Sequence, residues 1–289
     1  MSKSTFRFGT VGSPKSTPKR PGGSVGAILR IRELDMDALE LGWVRAVRVS
    51  EKTCGSIKTA GREKDVQISV HAPYFINLNA DDEEWPKARK RLMDAAHYGD
   101  LAGATDVVFH PGSYFKQPPE KVLPIAILRL EDCVRELHQA GNRIVLRPET
   151  MGKSAMLGSL EDTIEMSLAV PGVQPCLDFA HLHARPGDGS LNTYDEWARL
   201  LEKYGNALGD GALCSLHTHL SGIEYTKKGE KNHLTIEEAD LDLKALLQAL
   251  YDFNCCGRIL CESPTLEEDA LIIKQSWLEV SGSTADEQG

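Results

Sequence analysis

The sequence predicts an α/β fold, a parallel (β/α)₈ TIM barrel that forms a single domain, and three observations lead to this prediction. Strand-like runs alternate with helical patterns, polar residues gather at the carboxyl ends of the strands, and no domain boundary interrupts the alternation. Gly141 ends one helical pattern, residues 119–141, in which apolar residues recur at i, i+3 and i+4. The predicted strands are residues 6–12, 38–44, 67–74, 106–112, 143–149, 174–181, 213–220 and 257–263.

An open, doubly wound sheet is the competing fold. Its usual marker, a glycine-rich phosphate-binding turn after the first strand, is not cleanly present. The barrel also explains why the polar clusters follow the strands, because barrel active sites are built at the carboxyl ends of strands. We therefore expect a barrel over residues 1–280 and a polar, disordered tail over residues 281–289.

Composition restricts the class of protein. A hydrophobic share of 41% in 289 residues supports a sizeable core, and no apolar run approaches the roughly 18 residues that a membrane span requires. The amino terminus lacks the pattern of a secretory signal, so we expect a cytoplasmic protein without a membrane partner. The net charge of −9 argues against a general nucleic-acid coat, but it leaves a nucleic-acid enzyme open. Positive charge is concentrated in segments 15–20, 45–48 and 227–231, and we expect the last of these to be a loop.

The candidate functional residues form a repeated pattern in which an apolar run ends in His, Asp or Glu. In residues 176–181, for example, an apolar strand ends in Asp178, and His181 follows three positions later. A lone buried histidine is more often a core residue, but many such residues at the same end of the same kind of element predict a metal site. Imidazole and carboxylate suit zinc, manganese or iron, and this number of ligands exceeds the need of one tetrahedral ion. The candidate ligands are His71, His110, Glu149, Asp178, His181, His219, His233 and Glu262.

Four other histidines are not assigned to the metal site. His97 and His138 fall in helical patterns, where packing explains them. His183 and His217 each lie two residues from a candidate ligand, and we expect them to orient ligands rather than to bind metal.

Several motifs resemble the endonuclease IV family of apurinic/apyrimidinic endonucleases, which belongs to the superfamily of xylose-isomerase-like barrels. The resemblance extends over nearly the whole chain, and the ligand motifs occur in the order found in that family. The segments that carry it are SVHAPYFINL (69–78), VVFHPGS (107–113), RPETMG (147–152), LDFAHLHA (177–184), HLSGIEY (219–225) and LCESP (260–264). The resemblance implies a zinc-dependent enzyme that cleaves the DNA backbone 5′ to abasic sites in base excision repair, with 3′-end trimming as a further activity.

The resemblance also assigns the ligands to two or three Zn²⁺ ions, with Mn²⁺ or Fe²⁺ as alternatives. His71 and His110 would bind one ion, and Glu149 would bridge it to a second. Asp178, His219 and Glu262 would complete the second site, and His181 with His233 would bind the third ion. Glu149 and Glu262 would also be the catalytic residues, because they flank and orient the attacking water.

The resemblance further assigns contacts with double-stranded DNA that contains an abasic site. Tyr74 would enter the distorted duplex with Phe75 beside it, and Arg45 or Arg48 would insert into the base stack. We expect the protein to act as a monomer. An abasic nucleotide costs less to extrude than a paired base, which would supply part of the selectivity.

One position departs from the family pattern. The family has an aspartate two residues before the histidine that corresponds to His233, and this chain has Lys231 there. A shift of one residue would allow Glu230 to replace that ligand; otherwise Lys231 would contact a DNA phosphate as a point charge.

Two further functions remain open. A sugar isomerase or epimerase of the same barrel superfamily would bind one or two divalent metals through similar residues. A non-catalytic protein that binds DNA lesions or metal would require the loss of ligands.

Overall fold

The computed structural model describes residues 5–282, and its strands form one parallel sheet with a separate hairpin. The strands of the sheet are β1 (Phe6–Val11), β2 (Ala38–Gly42), β3 (Gln67–His71), β4 (Asp106–Phe109), β5 (Val145–Pro148), β6 (Leu177–Asp178), β7 (Leu216–Leu220) and β10 (Gly257–Cys261). The hairpin strands are β8 (Gly222–Thr226) and β9 (Gly229–Leu234). The predicted fold class is therefore confirmed, although the strands are shorter than predicted.

The sheet closes on itself. Its order is β5-β4-β3-β2-β1-β10-β7-β6, and parallel bridges join Leu146 to Val173 and Glu149 to Cys176 across the remaining edge. Hydrogen bonds seal this edge, because the Cys176 N–H donates to the Pro148 carbonyl at 3.0 Å and the Thr150 N–H donates to the Cys176 carbonyl at 3.0 Å. A closed parallel barrel brings the carboxyl ends of all its strands to one rim.

Helices surround the barrel and bury their apolar stripes against it. They are α1 (Gly23–Glu33), α2 (Glu51–Lys64), α3 (Trp85–Leu101), α4 (Pro119–Gln139), α5 (Leu160–Ala169), α6 (Phe179–Ala184), α7 (Tyr194–Leu208), α8 (Asp210–Leu213), α9 (Leu243–Asp252) and α10 (Glu267–Ser281). In α4 the buried residues include Val122, Ala126, Leu130 and Leu137, which follow the predicted helical spacing. Within residues 5–282, none of the helices combines the length and the apolar character that crossing a membrane requires.

Two predictions about local structure were wrong, and a third, the tail, falls mostly on residues that are not described. Residues 174–181 do not form one strand, because the Asp178 side chain accepts the His181 N–H at 2.8 Å and caps a helix there. Segment 227–231 is the turn of a β-hairpin and the first half of its second strand, β9, rather than a loop. The predicted tail is helical at Ser281, and its residues 283–289 lie outside the described part of the chain.

Candidate metal centre

The barrel rim brings the eight candidate ligands together in overlapping groups. Six come from strand ends: His71 closes β3, His110 and Glu149 follow β4 and β5, Asp178 closes β6, His219 lies in β7 and Glu262 follows β10. The other two candidates reach the rim from elsewhere, His181 from α6 and His233 from β9. In each group the potential ligand atoms lie within 4.8 Å of one another; the groups are His71/His110/Glu149, Glu149/Asp178/His219/Glu262 and Asp178/His181/His233.

The first group surrounds one oxygen of Glu149. Glu149 Oε2 lies 3.4 Å from His71 Nε2 and 3.2 Å from His110 Nε2. The His71 Nδ1 lies 2.9 Å from the Ala72 carbonyl oxygen. A carbonyl oxygen can only accept, so Nδ1 carries a proton, and a neutral ring would present the lone pair of Nε2 to the group. This is the state in which an imidazole binds a metal ion.

The second group shares Glu149 with the first. His219 Nδ1 lies 3.1 Å from Glu149 Oε1 and 3.5 Å from Glu262 Oε1. Glu149 therefore presents one oxygen to each group, which is the arrangement that a carboxylate bridging two cations requires.

The third group places two imidazole nitrogens face to face. His181 Nδ1 lies 3.0 Å from the Thr150 carbonyl oxygen, and His233 Nδ1 lies 3.1 Å from that of Glu262. Both Nδ1 atoms must therefore donate, and the two Nε2 atoms lie 3.4 Å apart. Two nitrogen lone pairs at this distance repel each other unless a proton or a metal cation lies between them. The geometry therefore fits a cation.

The hairpin adds a carboxylate to this third group. Glu230 Oε2 lies 3.7 Å from His181 Nε2. The hairpin register shifts between Glu224 and Tyr225, so that Lys231 is an extra residue with no partner across the hairpin. The shift leaves the Glu230 side chain near His181, and whether Glu230 binds metal stays a prediction. Lys231 Nζ lies 2.6 Å from Glu224 Oε1 on the exposed side of the hairpin.

Gly152 makes room for the Glu230 side chain. A Cβ atom at Gly152 would lie 2.6 Å from Glu230 Cβ and 2.8 Å from Glu230 Oε2. The Glu230 N–H also donates to the Gly152 carbonyl at 2.9 Å, which fixes the hairpin against the loop after β5. The position of Glu230 therefore depends on the absence of a side chain at residue 152.

The electrostatics of the centre favour bound cations. Glu149 Oε2 and Asp178 Oδ2 are buried oxygens with no hydrogen-bond partner among residues 5–282. Burial raises the pKa of the Asp178 carboxyl. Burial opposes protonation of His71 and His181. The carboxylate of Glu149 at His71, and mainly that of Asp178 at His181, outweigh burial and raise the pKa of each imidazole to about 9. Buried carboxylates therefore require a positive charge beside them, and either protonated imidazoles or metal ions supply it.

The predicted DNA-contacting residues surround the same rim. Tyr74 is half exposed, and its ring stacks on His110 with a centroid distance of 5.1 Å. Burial, together with the charges of Glu262 and Glu149, raises the Tyr74 pKa to about 12, so the hydroxyl stays neutral. The Tyr74 N–H donates to the Val44 carbonyl at 2.9 Å, which joins its loop to the loop that carries the exposed Arg45 and Arg48. Phe75 is 67% exposed beside Tyr74.

Glu40 in β2 is a polar residue of the barrel interior that the sequence did not reveal. It is fully buried, and it lies 2.8 Å from His217 Nε2 and 3.0 Å from His219 Nε2. Burial alone would raise the Glu40 pKa, but His219 and His217 outweigh it and hold the pKa well below its usual value. The only signal in the sequence was an acidic residue inside an apolar strand.

The histidines excluded from the ligand set lie apart from the three groups or behind them. His97 is in α3 and His138 is in α4. His183 is buried beside the hairpin, where its Nε2 lies 3.2 Å from Asp240 Oδ1. His217 lies behind His219 and contacts Glu40.

With the geometry in place, comparison with known proteins defines the class. The model of the family described as "Xylose isomerase-like TIM barrel" matches residues 28–279, and the chain belongs to this family. It is 35% identical over 274 residues to an uncharacterized protein of Methanocaldococcus jannaschii, an alignment that covers 94% of this chain and 97% of that protein.

Proteins named endonuclease 4 are also similar. The chain is 32% identical over 118 residues to endonuclease 4 of Thermus thermophilus, which covers 40% of each chain. The crystal structure of an endonuclease IV from Thermus thermophilus superposes with a TM-score of 0.70 at 23% identity, covering 94% of this chain and 99% of that one. A D-tagatose 3-epimerase-like protein superposes with a TM-score of 0.69 at 21% identity, covering 96% and 98% of the two chains. At these identities the superpositions show the fold alone.

Proposed function

We propose that this protein is a metal-dependent endonuclease that cleaves the DNA phosphodiester bond 5′ to abasic sites and trims blocked 3′ ends in base excision repair. The observation that supports this most is the connected set of three ligand groups, joined through the two oxygens of Glu149 and through Asp178. A site of this extent suits two or three Zn²⁺ ions, with Mn²⁺ or Fe²⁺ as alternatives. The similarity to endonuclease 4 supports the choice of substrate.

The protein residues would hold and orient the reacting groups. Bound divalent cations would lower the pKa of the attacking water and stabilise the charge on the departing 3′-oxygen. Glu149 and Glu262 flank His219 Nδ1 at 3.1 and 3.5 Å, where their carboxylates can accept hydrogen bonds from a water and orient it. No side-chain nucleophile is then required.

Glu230 would take the place of the missing aspartate at the third ion. Its carboxylate faces His181 across 3.7 Å, and His233 completes the group. Lys231 is then available for DNA, because its ion pair with Glu224 is exposed and such pairs contribute little to stability. We propose that Lys231 contacts a backbone phosphate on the outer side of the hairpin.

The aromatic and basic residues of the rim would hold the distorted duplex. Tyr74 and Phe75 offer exposed rings beside the metal centre, and stacking with a base is worth about 1–3 kcal/mol. Arg45 and Arg48 lie on the adjoining loop, where either can enter the gap that an extruded nucleotide leaves. We further propose that the protein acts as a monomer in the cytoplasm.

The runner-up is a metal-dependent sugar isomerase or epimerase. The structural likeness to a D-tagatose 3-epimerase-like protein and the net charge of −9 favour it. It would use one or two divalent ions and would act on a small polyol instead of DNA.

The test is cleavage of a duplex that contains one tetrahydrofuran abasic analogue, with an undamaged duplex and ketohexoses as parallel substrates. Zinc-loaded protein should cut the analogue strand on its 5′ side and leave the undamaged duplex intact. Glu262→Gln and His110→Ala should lower the rate by orders of magnitude. An intact abasic duplex together with turnover of a ketohexose would overturn the proposal in favour of the epimerase.

A further inference from the structure

A second layer of buried polar residues lies behind the metal centre, and Glu40 is at its middle. Glu40 Oε2 accepts the Ser69 hydroxyl at 2.7 Å and lies 2.8 Å from His217 Nε2. Its other oxygen, Oε1, lies 3.0 Å from His219 Nε2. All four side chains are at most 1% exposed. None of the three residues that contact Glu40 is near it in sequence, so only the closed barrel creates this contact.

The layer has a direct geometric link to the metal centre. His217 and His219 are two residues apart in β7, so both side chains point into the barrel. His219 joins the second layer to the metal centre, because its Nε2 faces Glu40 and its Nδ1 faces Glu149 and Glu262.

The two ring nitrogens of His219 have competing partners. If Nδ1 carried the proton, it would donate to Glu149 Oε1 at 3.1 Å, and the ring could not bind a cation on that side. If Nε2 carries the proton, it donates to Glu40 and leaves the Nδ1 lone pair facing the centre. An imidazole ligand generally has its other nitrogen fixed in this way by a carboxylate or carbonyl.

We infer that Glu40 is a positioning residue that fixes His219 in the tautomer whose Nδ1 faces the metal centre. His217 and Ser69 hold the Glu40 carboxylate in place through its second oxygen. The ligand His219 is thus oriented from strand β2, which supplies none of the predicted ligands. This inference rests on the metal centre of the proposed function, but it does not depend on the substrate.

The experiment measures zinc affinity by competition with a chromogenic chelator. Glu40→Leu alone leaves buried donors without an acceptor, so the main variant is the double substitution Glu40→Leu/His217→Phe, which replaces the buried pair with apolar groups. We expect its zinc affinity to fall about 10- to 100-fold, the usual effect of removing the partner of a histidine ligand. Spectra of zinc-loaded protein with ¹⁵N-labelled histidine should also lose the hydrogen-bonded Nε2–H signal of His219.

Two controls separate positioning from folding. His217→Phe alone keeps the contact between Glu40 and His219 and the Ser69 hydrogen bond to Glu40, so its zinc affinity should fall much less than that of the double variant. Asp106→Asn removes a buried carboxylate charge at the opposite end of the barrel, and it should lower stability without changing zinc affinity. Unchanged zinc affinity in the double variant, or the same loss in His217→Phe alone, would overturn the inference. If zinc-loaded protein leaves abasic DNA intact while these affinities behave as expected, only the proposed substrate is wrong.

Discussion

The two ends of the barrel both bury charged residues, but they pair their carboxylates with different groups. At the amino end, Asp106 opens β4 and contacts Arg147 Nε at 2.5 Å and Arg258 Nη2 at 2.9 Å. Arg147 also donates to the carbonyls of Pro175 and Ser215 at 3.0 and 3.3 Å. Burial would raise the Asp106 pKa, but the two guanidinium groups outweigh it and lower the pKa. The stability of the fold is sufficient to explain this network of ion pairs and hydrogen bonds.

The carboxyl end differs in its residue types and in the hydrogen bonding of its buried polar atoms. Its ligand groups consist of carboxylates and imidazoles, and the buried oxygens Glu149 Oε2 and Asp178 Oδ2 have no hydrogen-bond partner in the described chain. At the amino end, the corresponding unpartnered atom in residues 5–282 is Arg258 Nη1, a donor rather than an acceptor. The comparison teaches that a buried charge cluster indicates function where its carboxylates face imidazoles, which can bind metal ions, and some of its oxygens have no hydrogen-bond partner.

The largest expected effect is the loss of catalysis when the bridging carboxylate is removed. Glu149→Gln keeps the shape of the side chain but weakens two ligand groups at once. Cleavage of the abasic duplex should fall by about 10³-fold or more, and at least one bound ion should be lost. Single-turnover cleavage with elemental analysis measures both quantities. Near-normal cleavage by this variant would remove Glu149 from the mechanism.

At the amino end the expected effect is on stability instead. Asp106→Asn leaves two buried guanidinium groups without a full counter-charge, which costs about 3 kcal/mol in the free energy of unfolding. Urea denaturation measures this loss, and the cleavage rate per folded molecule should be unchanged. A selective loss of cleavage would show that the two ends are not independent.

A smaller effect should separate the hairpin ligand from the rest of the centre. Gly152→Ala would place a Cβ 2.6 Å from Glu230 Cβ and displace the hairpin. We expect one ion fewer per chain and a cleavage rate lower by about tenfold. Gly55→Ala is a matched control, because its Cβ meets nothing within 4 Å in a helix, where alanine is favoured by about 0.5–1 kcal/mol. Full metal content in Gly152→Ala would exclude Glu230 as a ligand.

The smallest expected effect is an opposite response of the two ends to pH in metal-free protein. The pKa of His71 and of His181 is raised from 6.5 to about 9. Their contribution to the free energy of unfolding is therefore complete below pH 6.5 and is lost as the pH rises to about 9. The Asp106 pKa is lowered from 3.8. The stabilising contribution of the Asp106 carboxylate is therefore present above pH 3.8 and is lost as the pH falls below it. Thermal unfolding from about pH 2 to pH 10 should therefore show stability that falls on both the acid side and the alkaline side, and bound zinc should suppress the alkaline loss. Rising stability from pH 6.5 to 9 without metal would contradict this.

The sequence predicted the barrel and the rim because both depend on local patterns. Apolar runs that end in His110, Glu149 or Glu262 are visible in the sequence. The carboxyl ends of the strands of a parallel barrel lie at one rim even when the exact strand bounds are not known. Glu40 was missed because its partner His217 lies 177 residues away and no local motif joins them. His181 was placed on a strand because the pattern did not show that Asp178 would cap a helix.

The role of residue 230 was left open for a related reason. The hairpin that carries Glu230 packs against Gly152, which is a tertiary contact that sequence spacing alone cannot reveal. The position of Glu230 beside His181 could therefore not be predicted from the local sequence pattern.

The central claim is that the carboxyl end of the barrel is completed by metal ions, and metal content tests it most directly. Protein purified without chelator and reloaded with zinc should retain two or three ions per chain by elemental analysis, and the Glu149→Gln variant should retain fewer. Less than one ion per chain in the unsubstituted, folded protein would contradict the account.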